Sequence, residues 1–123
     1  MNYFAIGSGI LAVLLVLTLC TTLLLHHQTD DIAQLLERAM QEPDRAQAVA
    51  LATQAKNNWE NRYGLIATFI DHNELDEIST GFAEMDSWAR LDDEDEFYCV
   101  CNRLADLIRH IYQAELPAYY NIL

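Results

Sequence analysis

The chain has 123 residues, 19 of them acidic and only 7 basic, for a formal net charge of −12. Such an acidic balance disfavours attraction to nucleic acid or to anionic lipid headgroups. The charge is also unevenly placed: residues 4–25 carry none, and all 26 Asp, Glu, Lys and Arg residues lie at or after Asp30.

As a helix, residues 4–25 would extend about 33 Å at about 1.5 Å per residue, enough for a hydrocarbon layer of about 30 Å with modest tilt. Their Leu, Ile, Val and Phe side chains sum to roughly −6 kcal/mol on an insertion scale before the polar groups subtract. A cleavable signal peptide would need a basic start, a shorter apolar core and a small-residue cleavage site. None of these precedes His26 and His27, and Leu19 is too bulky for a lipoprotein site at Cys20. The sequence predicts an uncleaved transmembrane anchor over residues 1–28 and an acidic helical domain over residues 29–123. Neither flank of the apolar run is basic, so the usual positive-inside signal is weak. The three-residue tail before a long apolar helix resembles a signal anchor, which places the C-terminal domain outside the cytoplasm. Ala5, Ser8, Gly9 and Ala12 share one helical face, a spacing that permits close helix–helix approach but is common in membrane helices generally.

After the anchor, Thr29, Asp30 and Asp31 read as an N-cap and first turn. Ile32, Leu35, Leu36, Ala39 and Met40 then follow at helical spacing, in a helix either separate from or continuous with the anchor. The Glu42-Pro43-Asp44 segment interrupts it, with Pro43 suited to the first position of a new helix. Ala48, Leu51, Ala52, Ala55, Trp59, Tyr63, Ile66 and Ile70 trace the apolar stripe of that second helix, which Gly64 weakens without breaking. Around Asp71-His72-Asn73-Glu74-Leu75-Asp76 the chain either continues as helix or turns near Asn73. Leu75, Ile78, Phe82, Met85 and Trp88 or Ala89 form the next stripe. The five acids at residues 92–96 fit the start of a last helix, where the macrodipole stabilises negative charge. Its stripe is Phe97, Val100, Cys101, Leu104, Ile108 and Ile111, and Pro117 is expected to end it, with Tyr119, Tyr120, Ile122 and Leu123 folding back. No segment alternates with period two. The fold class is therefore all-α: a transmembrane helix followed by an antiparallel bundle of three to four helices. Its expected core includes Trp59, Ile66, Phe82, Trp88, Leu104 and Ile108, with Phe69 as another large core piece.

Candidate chemistry is sparse. His72, Asp76 and His110 are the best metal-ligand candidates, since antiparallel helices would let a histidine from each converge with a carboxylate. The spacing contains no Glu-x-x-His or His-Glu-x-x-His pattern. The plainer reading is a structural polar network of Asp71, His72, Asp76 and His110 between packed helices. Cys99 with His110, or Ser79 with His72, would be the nucleophile pairs, but neither comes with a nucleophile elbow or oxyanion loop. Cys99 and Cys101 stand about 200° apart around a helix and cannot bridge within it. The acidic run lacks the alternating ligands and central glycine of a calcium loop. No catalytic residue, metal or cofactor is expected.

The apolar anchor, Trp59, the segment from Phe69 through Asp76, His110-Ile111 and Asn121-Ile122-Leu123 together resemble a bacterial family of small membrane-anchored proteins. That family is catalogued as a domain of unknown function and occurs among Gram-positive, often spore-forming, bacteria. The resemblance implies a helical extracytoplasmic domain with no assigned activity, and makes His72, Asp76 and His110 a packing network rather than catalytic groups. The acidic run at residues 92–96 departs from that pattern. The expected function is a membrane-anchored interaction or scaffold module of the cell envelope, bound through residues 4–25 to the membrane and partnered by another envelope protein or by itself. The alternative is a metal- or ligand-sensing domain centred on His72, Asp76 and His110.

Overall fold

The computed structural model describes residues 2–122, with side chains described over residues 2–111. Four helices account for nearly all of it: α1 (Asn2–Gln41), α2 (Arg45–Phe69), α3 (His72–Arg90) and α4 (Glu94–Ile122). No strand occurs among the described residues.

Helix α1 is one unbroken helix of 40 residues. Thr29, expected as a cap, is buried within it, and its hydroxyl donates to the His26 carbonyl at 3.0 Å. The hydroxyl is thereby satisfied inside the helix, and no terminus forms at residues 28–29. What ends α1 is Pro43, which has no N–H to donate and pushes Glu42 out of the helical region. Helix α2 begins after Pro43 rather than at it. Asp44 is the N-cap, accepting from the Ala46 N–H at 3.1 Å, so the carboxylate sets the first turn.

The α2–α3 connection falls at residues 70–71, ahead of Asn73. Ile70 is extended and 5% exposed, and its N–H still donates to the Ile66 carbonyl at 3.0 Å. Asp71 is the N-cap position of α3, without a side-chain capping bond. Helix α3 ends in a Schellman arrangement: the Asp93 N–H donates to the Trp88 carbonyl at 3.2 Å and the Asp92 N–H to the Ala89 carbonyl at 3.4 Å. Asp92 takes the left-handed position at φ 60°, where glycine is usual. Asp93 then turns to the next helix, its carboxylate accepting from the Glu96 N–H at 3.2 Å. The acidic run thus serves both as the end of α3 and the start of α4. Helix α4 includes Pro117 in its span, so the stop expected there does not occur. A proline forfeits one hydrogen bond, to the carbonyl four residues back, and a helix can continue past that loss. The expected packing of Tyr119, Tyr120, Ile122 and Leu123 lies outside the described residues.

The four helices bury the same kind of stripe. Leu25, Thr29, Ile32, Leu36 and Ala39 on α1 are buried, as are Ala48, Ala52, Ala55, Trp59 and Ile66 on α2. Leu75, Ile78, Phe82 and Met85 on α3 face Phe97, Cys101, Leu104, Ile108 and Ile111 on α4. Steps of three and four alternate throughout, the pattern of helices that pack at small crossing angles. Helix α1 packs on both α2 and α4, and α3 packs on α4. The alanines of α2 keep the α1–α2 seam close. At the α3–α4 seam Gly81 does the same work, because a Cβ there would lie 2.5 Å from Leu104 Cδ2.

Most expected core residues lie in this interior: Trp59, Ile66, Phe82, Leu104 and Ile108 are each at most 2% exposed. Trp88 is only half-buried against the core. Phe69 is 47% exposed. It falls one position out of phase with the buried stripe, which passes from Ile66 to Ile70, so Ile70 occupies the interior and Phe69 points outward.

Candidate functional site

The residues singled out for polar or metal chemistry are not gathered by the fold. Asp71, His72 and Asp76 are exposed near the start of α3, and their side chains make no hydrogen bond or ion pair among the described residues. His110 is exposed on α4, with its Nδ1 2.6 Å from the Asp106 carbonyl and 3.3 Å from Asp106 Oδ1. The expected network of Asp71, His72, Asp76 and His110 is therefore replaced by a local contact one turn back on α4. Both histidines sit off the heptad stripe, which points them to solvent rather than toward the neighbouring helix. Among the described residues no group of three His, Cys, Asp or Glu side chains is placed to hold a metal ion. The nucleophile pairs are also apart: Cys99 and His110 are separated by about 16 Å of helical rise, and Ser79 and His72 by about 10 Å.

Polar groups instead concentrate on the seams between helices. Arg109 of α4 reaches α1, where its Nε and Nη2 each lie 2.9 Å from the two Glu37 carboxylate oxygens and its Nη1 lies 2.8 Å from Asp30. Hydrogen bonding to Glu37, reinforced by the charges of Glu37 and Asp30, holds this guanidinium protonated more firmly than usual. Arg62 of α2 donates to the Gln28 carbonyl of α1 at 3.0 Å and stands 3.9 Å from Asp31. Lys56 of α2 pairs with Asp86 of α3, and Arg103 of α4 with Glu84 of α3 at 2.6 Å. Arg45 of α2 meets Asp92 in the α3–α4 turn at 2.8 Å. Five of the seven basic side chains are thus spent on helix–helix seams, and the acidic surplus is left facing out.

That surplus is densest at one end. The Arg45–Asp92 pair puts the α1–α2 and α3–α4 connections side by side. Glu42, Asp44 and the acids of residues 92–96 therefore share the end of the bundle remote from the apolar half of α1. The side of the bundle between α2 and α3, which pack less closely than the other three seams, holds an open groove of about 350 Å³ lined by Lys56, Trp59, Glu60, Tyr63, Ser79 and Phe82. Its floor is aromatic: the Trp59 and Tyr63 rings meet edge-on at 5.9 Å, Trp59 and Phe82 lie 6.2 Å apart, and the Trp59 Nε1–H donates to Ser79 Oγ at 3.2 Å. The Trp59–Ser79 bond had no sequence signal, because Ser79 lies outside the apolar stripe that identified Trp59 and Phe82. The two distal thiols differ sharply. Cys99 is exposed, whereas burial pushes Cys101 up to about 12.

A family model matches residues 20–122, which takes in the last turn of the apolar run and all four helices of the bundle. The chain belongs to the family described as domain of unknown function DUF4363. The DUF4363 match begins where α1 starts to be covered by its neighbours, since Thr21 and Thr22 are half-buried and Leu25 is buried. No curated protein and no solved structure matches the chain. The N-terminal part of α1 is long and apolar enough to cross a membrane.

Proposed function

We propose that this chain is a membrane-anchored helical module of a bacterial envelope that binds a protein partner and carries out no catalysis, with the acidic end of the bundle as its contact surface. The observation that carries this reading is the continuity of α1, whose apolar half runs without a break into the packed half. A bundle built on the same helix as its anchor is held at a set height. From Leu25 to Gln41 the helix rises about 24 Å, so the acidic end stands roughly that far beyond the apolar run. The exposed acids Asp44, Asp92, Glu94, Asp95 and Glu96 there favour a partner with a basic face and would repel anionic lipid.

Leu91 is 70% exposed at this end and suits a photocrosslinking substitution. In native membranes it should give a discrete adduct with a basic protein, and the adduct should disappear when Glu94→Gln, Asp95→Asn and Glu96→Gln are introduced together. No adduct, or one indifferent to that neutralisation, contradicts the reading. The side of the membrane is tested at Cys99: an impermeant thiol reagent should label it in intact cells, and labelling only after lysis would place the bundle inside.

A further inference from the structure

After the apolar run, Leu65, Phe69 and Leu91 are the large hydrophobic side chains left exposed among the described residues. Leu91 sits at the acidic end. Leu65 and Phe69 stand one turn apart on one face at the other end of α2, in a stretch from Tyr63 to Ile70 that carries no charge. Their height relative to α1 follows from the Arg62–Gln28 hydrogen bond, which sets residue 62 of α2 beside residue 28 of the antiparallel α1. Seven residues further along α2, about 10 Å, Phe69 comes level with about Thr21. The reach of an arginine side chain shifts this by about one turn, and a turn in either direction still leaves Phe69 beside residues 4–25. Independently, Leu25 is buried and Thr21 and Thr22 half-buried, so the bundle does extend down over the end of the apolar run.

We infer that the foot of the bundle, through Leu65 and Phe69, sits in the lipid interface of the leaflet nearest the bundle, making a second membrane contact beside the anchor. The inference rests on the reading of α1 as a membrane span. If residues 4–25 fill the hydrocarbon layer, side chains level with residues 21–25 lie at its boundary with the headgroups. Leu and Phe side chains of interfacial segments bury at that depth. The exposed Asp71 and His72, just past Phe69, keep the foot from going deeper, because charged and polar groups are retained on the aqueous side. The densest acidic cluster faces away from the lipid, and the exposed Asp71, Asp76 and Glu77 beside the foot restrict this contact to lipid without net negative charge. An anchor and a lateral foot together would restrict the tilt and rotation of α1, as interfacial side chains do for other spans.

The test uses the full chain in phosphatidylcholine vesicles. Cys20→Ala and Cys99→Ser remove the exposed thiols, and the buried Cys101 stays silent to the label. An environment-sensitive fluorophore is attached in turn at Leu14→Cys, Leu65→Cys, Phe69→Cys or Leu91→Cys, all exposed positions whose substitution leaves the core intact. Lipids carrying a nitroxide at a shallow or a deep acyl position then report depth. The expected result is strong quenching of the label at 14 by the deep nitroxide. At 65 and 69 the shallow nitroxide should quench several-fold more than at 91. Labels at 65 and 69 that behave like the one at 91, while 14 is quenched, would overturn the foot and leave the anchor standing. No quenching at 14 would remove the anchor itself and the foot with it.

Discussion

The two halves of α1 are one helix in two surroundings. Between Asn2 and Leu24 nearly every side chain is bare of protein contact, including Ile6, Ile10, Leu14 and Leu17 at more than half exposed. From Leu25 to Ala39 the apolar residues withdraw to a single stripe, and Ile32, Ala33, Leu36 and Ala39 are fully buried. The helix itself does not change at the border. What changes is its covering, and the sequence follows: apolar all round with mean hydropathy 2.5 in the first half, striped and charged in the second. Leucine therefore contributes to bundle stability in one half, and in the other it makes the helix apolar enough to cross a membrane.

The largest expected effect compares those leucines directly. Leu36→Ala should destabilise the bundle by about 2–5 kcal/mol, as buried leucine truncations do, and Leu14→Ala should leave its unfolding within about 0.5 kcal/mol of the parent. Urea denaturation in micelles reads both, and equal losses would erase the distinction. Glycines sharpen it further. Gly81→Ala forces a Cβ against Leu104 and should cost about 1–3 kcal/mol, whereas Gly64→Ala meets nothing within 4 Å in mid-helix and should stabilise by up to about 1 kcal/mol.

A pH series probes the covered interior next. Burial raises Cys101 from its ordinary value of 9.0 to about 12 when folded. The unfolded chain therefore releases this proton first as pH rises. Its contribution is complete below about pH 9 and should decline by about 1.4 kcal/mol per pH unit above that, until about pH 12. Cys101→Val should flatten that part of the profile. The smallest effect belongs to the α1–α4 clamp. Arg109→Gln should cost no more than about 1 kcal/mol, because the pair is over a third exposed, and the loss should shrink in added salt.

Much of this architecture was legible because periodicity is a strong signal. The stripes of α2, α3 and α4 could be read from the spacing of Ala48 through Ile66, Leu75 through Met85 and Phe97 through Ile111. Boundaries were harder where two local rules competed. Pro43 suits a first helical position, but Asp44 beside it is the better cap, and Thr29, a good cap by type, is satisfied inside the helix by its bond to the His26 carbonyl. Phe69 reads as core by its type, yet a phase difference of one residue hands that place to Ile70. The candidate site was the least legible part. Four histidine and carboxylate positions suggested a network, but a helix face is set by its apolar stripe, and His72, Asp76 and His110 lie off it. The partners of Arg109 and Arg62 are 72 and 34 residues away in the chain, a pairing no local pattern announces.

Amide hydrogen exchange across residues 20–39, in the full chain reconstituted in lipid nanodiscs, tests the continuity of anchor and bundle most directly. Amides of residues 26–30 should be protected to the same degree as those of residues 32–39, since both belong to one covered helix. Fast exchange confined to residues 26–30, between two protected segments, would reveal a hinge there, and the bundle would then be tethered to the membrane rather than built on its anchor.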